Sequence, residues 1–256
     1  MKRIGTKQYQ QKVFKYLDIP EEWRGVLGKL LAQFICIIYG RSGQGKTEFC
    51  VRLAKMLVKF GDVAWLSYEQ GHGGDLRAAI DRNKMEEAFT YKTVKGKQQI
   101  VTSIVWVDPN AGRQRGKTYL EELCEWLDKR NAPRFVFIDS LKYTKWTFDD
   151  YTFLKENYGH RISFIFIDHA DTVKEPRRQV AKDVEFDGHY GLSVDRYIVH
   201  VNKSRASSTE PYIIWEERAR ELNPAFFLKY DKNTARKTIQ AVYTVSPAAS
   251  TEITEP

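Results

Sequence analysis

The chain has 256 residues, 42% of them hydrophobic and 13% aromatic, enough to bury a substantial core in one α/β domain with small extensions. No apolar run reaches the roughly 18 residues that span a bilayer, and the polar stretch after Met1-Lys2-Arg3-Ile4-Gly5 has no secretory leader's apolar core, so a cytoplasmic protein away from membranes is expected. The net charge of +8 permits a polyanionic partner without requiring one, and Cys36, Cys50 and Cys124 lack metal-ligand spacing and read as reduced core thiols.

Weak helical periodicity over residues 6–17, a break at 16–20 and a further short helix make 1–32 an N-terminal helical extension. The apolar run at 34–39 has the composition of a parallel strand covered on both faces. Phe49, Leu53, Met56, Leu57 and Phe60 then recur at helical spacing. Further strands are predicted at 63–68, 100–107, 135–138 and 162–167, with helices at 74–89, 118–130 and 148–158 between them. Residues 171–191 are polar and mixed in charge and read as a loop. Strands follow at 197–201, 211–215 and 225–230, and the tail from 232 to 256 drifts into Ser, Thr, Pro and Glu, with its last dozen residues expected to be disordered. Alternating strands and helices predict a mostly parallel sheet between helical layers, with an antiparallel C-terminal hairpin edge, spanning 33–231.

Gly40-Arg41-Ser42-Gly43-Gln44-Gly45-Lys46-Thr47 fits Gly-x-x-x-x-Gly-Lys-Thr between a predicted strand and a predicted helix. In that setting the glycines let backbone N–H groups turn inward around phosphate oxygens, and the helix N-terminus adds partial positive charge. Lys46 supplies a cation for the β and γ phosphates of ATP, and the Thr47 hydroxyl is placed to ligate Mg²⁺.

A phosphate loop needs a carboxylate on a neighbouring strand to hold that metal. Asp139 and Asp168 both close apolar strands; Asp139 is preferred. Glu69 follows the strand after the phosphate-loop helix, where it can activate a water as general base. A solvated strand-end glutamate is the plain alternative.

Phosphate loop, Glu69, Asp139 and the strand ending in Asp168-His169 follow an order that resembles the RecA-like ATPases, among them the ring-forming DnaB-type and RepA-type replicative helicases and their single-domain phage or plasmid cousins. The resemblance implies that His169 senses the γ-phosphate, in a place where glutamine is commoner. It implies that Arg218 and Arg220, on a hairpin before a terminal strand, reach the γ-phosphate of a neighbouring subunit in a homo-oligomer, a hexamer in the helicases; Lys203 and Arg205 are rivals for that role. It also implies that loops after the second carboxylate strand and after the sensor strand contact single-stranded DNA. These carry Lys142, Lys145, Lys174, Arg177, Arg178 and Lys182, with Tyr143 and Trp146 available for base stacking. The function so implied is ATP hydrolysis coupled to binding or translocation of single-stranded DNA. A recombinase or regulatory switch that does not unwind, and a small-molecule kinase with the basic loops as its lid, are the alternatives.

Overall fold

Strands that are apolar at every position leave no face for water, and both faces of the sheet here are covered by helices. The computed structural model describes residues 4–69, 71, 73–94 and 97–245, with 235–245 as backbone only. These fall into two compact units, divided after Ile214.

The first unit opens with helices α1 (Thr6–Gln10) and α2 (Glu21–Leu27). Strand β1 (Ile35–Gly40) leads into α3 (Lys46–Leu57), and β2 (Val63–Ser67) into α4 (Gly74–Arg82). A hairpin of β3 (Thr90–Val94) and β4 (Lys97–Thr102) stands as its own two-stranded sheet. Then come β5 (Ile104–Val107), α5 (Tyr119–Leu127), β6 (Phe135–Asp139), α6 (Leu141–Thr144), α7 (Phe148–Tyr158), β7 (Ser163–His169) and α8 (Gln179–Asp187). Strands β8 (Tyr190–Asp195), β9 (Ile198–Ser204) and β10 (Tyr212–Ile213) complete the unit. The second unit holds α9 (Glu216–Leu222) and α10 (Pro224–Val245).

The main sheet runs β10-β9-β8-β1-β7-β6-β2-β5. Six strands from β8 to β5 are mutually parallel, and β9 and β10 form the antiparallel edge. Period-two alternation sorts the side chains. Cys36 and Ile38, Val63 and Trp65, Phe135 and Phe137, and Ile165 and Ile167 face α2 and α3; Ile37, Ala64, Leu66, Val136, Ile138, Phe164 and Phe166 face α5, α7 and α8. Helices α5 and α7 begin where Thr118 and Thr147 accept from the N–H groups of Glu121 and Asp150 in reciprocal capping boxes.

Four expectations need correction. The predicted strand at 100–107 is divided: its first part belongs to the separate hairpin, and only β5 joins the main sheet. The predicted loop at 171–191 contains α8 and the start of β8, because a polar exterior hides the buried Ala181 and Val184 three residues apart. The residues expected at a terminal strand, 225–230, open α10 instead: Pro224 suits a first helical turn, and Phe226 and Tyr230 stack at 5.5 Å across one turn. Helix α10 continues past 231 to Val245, through the first half of the expected tail; the tail's last residues lie outside those described. Within the N-terminal helical segment, Trp23, Val26, Leu27 and Leu30 are buried in the core beside α3.

Close packing of β1 against β8 leaves no room for a side chain at Gly40, where an added Cβ stands 2.2 Å from the Val194 carbonyl oxygen. Gly40→Ala is expected to destabilise the fold by about 2–3 kcal/mol, as overpacking does, read as a melting temperature lowered by several degrees.

Candidate active site around the phosphate-binding loop

Gly40 ends β1, and the chain then curls through Gly43 and Gly45, whose φ values of 74° and 97° lie where only glycine is comfortable. The loop enters α3 at Lys46, whose Nζ donates to the carbonyls of Gly40 (2.8 Å) and Arg41 (2.7 Å). Burial holds the ammonium below its ordinary pKa, opposed by the negative charge of Asp139, Glu69 and Asp168 around it.

Parallel register brings the other groups to the same edge. Gly40 lies opposite His169 on β7, Asp139 opposite Ile167, and Ser67 opposite Asp139. Alternation places the two aspartates on opposite faces of the sheet. Asp139 shares parity with Phe135 and Phe137, on the α3 face; Asp168 shares parity with Phe164 and Phe166, on the other face, where it is buried and ion-paired to Arg178 at 3.3 Å. Glu69 and His169 fall on the α3 face with Asp139, and His169 Nε2 lies 3.0 and 3.2 Å from the two Glu69 carboxylate oxygens. The backbone adds a link: the Asp139 carbonyl accepts from the N–H groups of Tyr68 (2.5 Å) and Glu69 (3.2 Å).

Two carboxylates in one pocket titrate apart. The hydrogen bond from His169 draws Glu69 below its ordinary value. Burial, reinforced by the charge of Glu69, pushes Asp139 up to about 6. An oxygen pair of this kind, the Thr47 hydroxyl and a buried carboxylate short of positive charge, suits Mg²⁺, which keeps several waters and takes few protein ligands. Thr47 and Asp139 are the residues that would hold it, and the ion would supply charge neutralisation at the β and γ phosphates.

The predicted nucleic-acid residues separate into three places. Arg41, Lys142, Arg177 and Arg178 line one cleft of about 600 Å³ with Ser42, Asp168 and His169. Much of that charge is already paired: Arg177 with Asp171 at 3.3 Å, and Arg178 with Asp168 and the Lys142 carbonyl. Lys174 and Lys182 line a different cleft, Lys182 paired with Glu175 at 2.9 Å, while Lys145 ends α6 on a third. Trp146, expected as a stacking platform, is instead buried near Tyr68. Lys203 and Arg205 donate to carbonyls at the C-terminal end of α8, where cations complement the helix dipole. Arg218 and Arg220 sit on a helix, not a hairpin; Arg218 pairs with Glu221, and Arg220 with Glu216 and, through two nitrogens, Asp231.

One element of the site carried no sequence signal beyond its shortness. Arg196 and Tyr197, in the turn between β8 and β9, have φ values of 46° and 65°, and their N–H groups donate to the Gln44 side chain (2.7 Å) and Gln44 carbonyl (3.1 Å). This turn braces the phosphate loop from the side.

A sheet in which β7 separates the phosphate-loop strand from the Asp139 strand, with Glu69 one strand beyond, has a RecA-like α/β fold. No protein-family model matches the sequence, and no curated protein matches it either. Among solved structures, the KaiC-like protein PH0186 from Pyrococcus horikoshii OT3 superimposes with a TM-score of 0.52 at 18% identity, over 78% of this chain and 94% of that one. The flagellar accessory protein FlaH from Methanocaldococcus jannaschii gives 0.50 at 14% identity, over 77% and 92%.

Because the Asp139 pKa is raised on folding, its ionisation weakens the fold as pH climbs toward and past 6, by about 3 kcal/mol at about 1.4 kcal/mol per unit. Asp139→Asn is therefore expected to raise the melting temperature of metal-free protein at pH 8 but not at pH 4. In the unsubstituted chain, Mg²⁺ affinity measured by calorimetry should fall as pH drops through about 6, where protons compete for the same carboxylate.

Proposed function

We propose that the protein is a Mg²⁺-dependent ATPase in which Lys46 binds the β and γ phosphates and Glu69 activates the attacking water. The observation that carries this reading is the convergence of Lys46, Asp139, Glu69 and His169 on one face at one edge of the sheet.

The Glu69–His169 contact explains how such a site would stay quiet without substrate. A carboxylate whose pKa is drawn down is a weaker base. A γ-phosphate oxygen that takes over the His169 N–H frees Glu69 and restores its basicity at the moment a water must be deprotonated.

A single-stranded nucleic-acid partner is the finer reading, favoured by the cleft that joins Arg41, Lys142, Arg177 and His169 beside the phosphate loop. Translocation on DNA, a hexameric ring and an arginine supplied in trans by Arg218 or Arg220 belong to the same reading. Light scattering with Mg²⁺ and ATP, with and without oligonucleotide, tests the ring: a monomer under every condition removes both ring and trans arginine.

Lys46→Ala is expected to abolish ATP binding. Glu69→Gln should retain ATP within a few-fold of normal affinity while turnover falls by about 10²–10⁴, the usual contribution of a general base. His169→Ala should lower kcat with little change in KM. Normal hydrolysis by Glu69→Gln, measured by phosphate release, would show that Glu69 is not the base.

A further inference from the structure

Among the described residues five serines are buried, and three of them are satisfied. Ser163 accepts from the Phe34 N–H at 3.1 Å, Ser193 donates to the Asn202 side chain at 3.4 Å, and Ser208 donates to the Val26 carbonyl at 2.9 Å. Ser67 and Ser140 are each 1% exposed, and their hydroxyls meet no partner among the described residues. Buried hydroxyls are ordinarily hydrogen-bonded, and one left unpaired costs the fold stability. Packing alone gives no reason to keep two of them.

Both unpaired hydroxyls lie beside the candidate site. Ser67 closes β2 opposite Asp139, shares the parity of Val63 and Trp65 on the α3 face, and stands two residues before Glu69. Ser140 follows Asp139 and comes close enough to Glu69 to favour its charged form, without closing a hydrogen bond. The Trp65 indole N–H, also buried and unpaired, stands in the same relation to Asp139. The two carboxylates are near enough to each other that the charge of Glu69 raises Asp139. Hydroxyls gathered about such a pair suit water, because each can accept from a water and donate to a carboxylate.

We propose that Ser67 and Ser140 are positioning residues that hold ordered water between Asp139 and Glu69 and so raise the affinity of the site for a divalent cation. This rests on the ATPase reading, in which Thr47 and Asp139 hold Mg²⁺. A protein that binds Mg²⁺ leaves it much of its water, so affinity depends on the groups that orient that water as well as on the few direct ligands. Neither serine touches nucleotide or ion; each acts through water and the carboxylate beside it. The unpaired hydroxyls weaken the empty fold, and that cost is offset when the ion and its water arrive.

The test uses the full chain with ADP and with Mn²⁺ as a paramagnetic stand-in for Mg²⁺, free Mn²⁺ being read by electron paramagnetic resonance. Ser67→Ala is expected to weaken Mn²⁺ binding about tenfold, the low end for groups that act on a metal through its surroundings, and Ser140→Ala several-fold. ADP affinity measured in EDTA should not change. The melting temperature of the metal-free Ser67→Ala chain should hold or rise, since the substitution removes a buried unpaired hydroxyl. A serine with only a structural role would instead lower that melting temperature and weaken ADP with or without metal. Asp139→Asn separates the two levels of the account. If it leaves Mn²⁺ bound as before, the ATPase reading fails and the proposal falls with it. If it releases Mn²⁺ while both serine variants retain the ion, only the proposal is overturned. A metal-free melting temperature lowered by several degrees in Ser67→Ala overturns it as well.

Discussion

Everything proposed for this protein depends on one geometric constraint: in a parallel sheet, side chains two residues apart share a face, and register decides which strand ends meet. Gly40 opposite His169, and Asp139 opposite Ile167 and Ser67, put a cation, a carboxylate pair and an imidazole along one edge. A one-residue slip of β6 would send Asp139 to the far face, where Asp168 already sits against Arg178. The all-apolar strands resist that slip because both faces are packed and Trp65 stacks on Phe137 at 5.1 Å across the β2–β6 pair.

The same packing creates the electrostatic tension that the site uses. Lys46 is desolvated while Asp139 and Glu69 lie close enough to oppose its loss of charge. Burial raises the Asp139 carboxyl to about 6, whereas the hydrogen bond from His169 draws Glu69 below its ordinary value. A bound metal and triphosphate would relieve each of these at once, with positive charge for Asp139, phosphate for Lys46 and a new acceptor for His169.

Much of this was legible in the sequence because local chemistry dictates it. The phosphate loop needs glycines at fixed places, and Glu69, Asp139 and His169 each close an apolar run. The fold class followed from strands alternating with helical stretches. What could not be read was whatever depends on tertiary partners. Helix α8 was hidden because only Ala181 and Val184 mark its buried face. Phe226, Phe227 and Tyr230 satisfy a strand's composition and a helix's spacing equally, and only the fold chose between them. The aromatic cluster of Tyr143 and Trp146 gave no hint that one ring would be buried and the other exposed. The bracing of Gln44 by Arg196 and Tyr197 joins residues far apart in the chain, which no local pattern announces.

The most direct test of the account is a crystal structure of the chain with Mg²⁺ and a non-hydrolysable ATP analogue. The account predicts phosphates wrapped by residues 40–47 and the metal near Thr47 and Asp139. It also predicts His169 turned to the γ-phosphate and a water between that phosphate and a released Glu69. A nucleotide bound there with the Glu69–His169 contact intact, and no water within reach of the carboxylate, would contradict it.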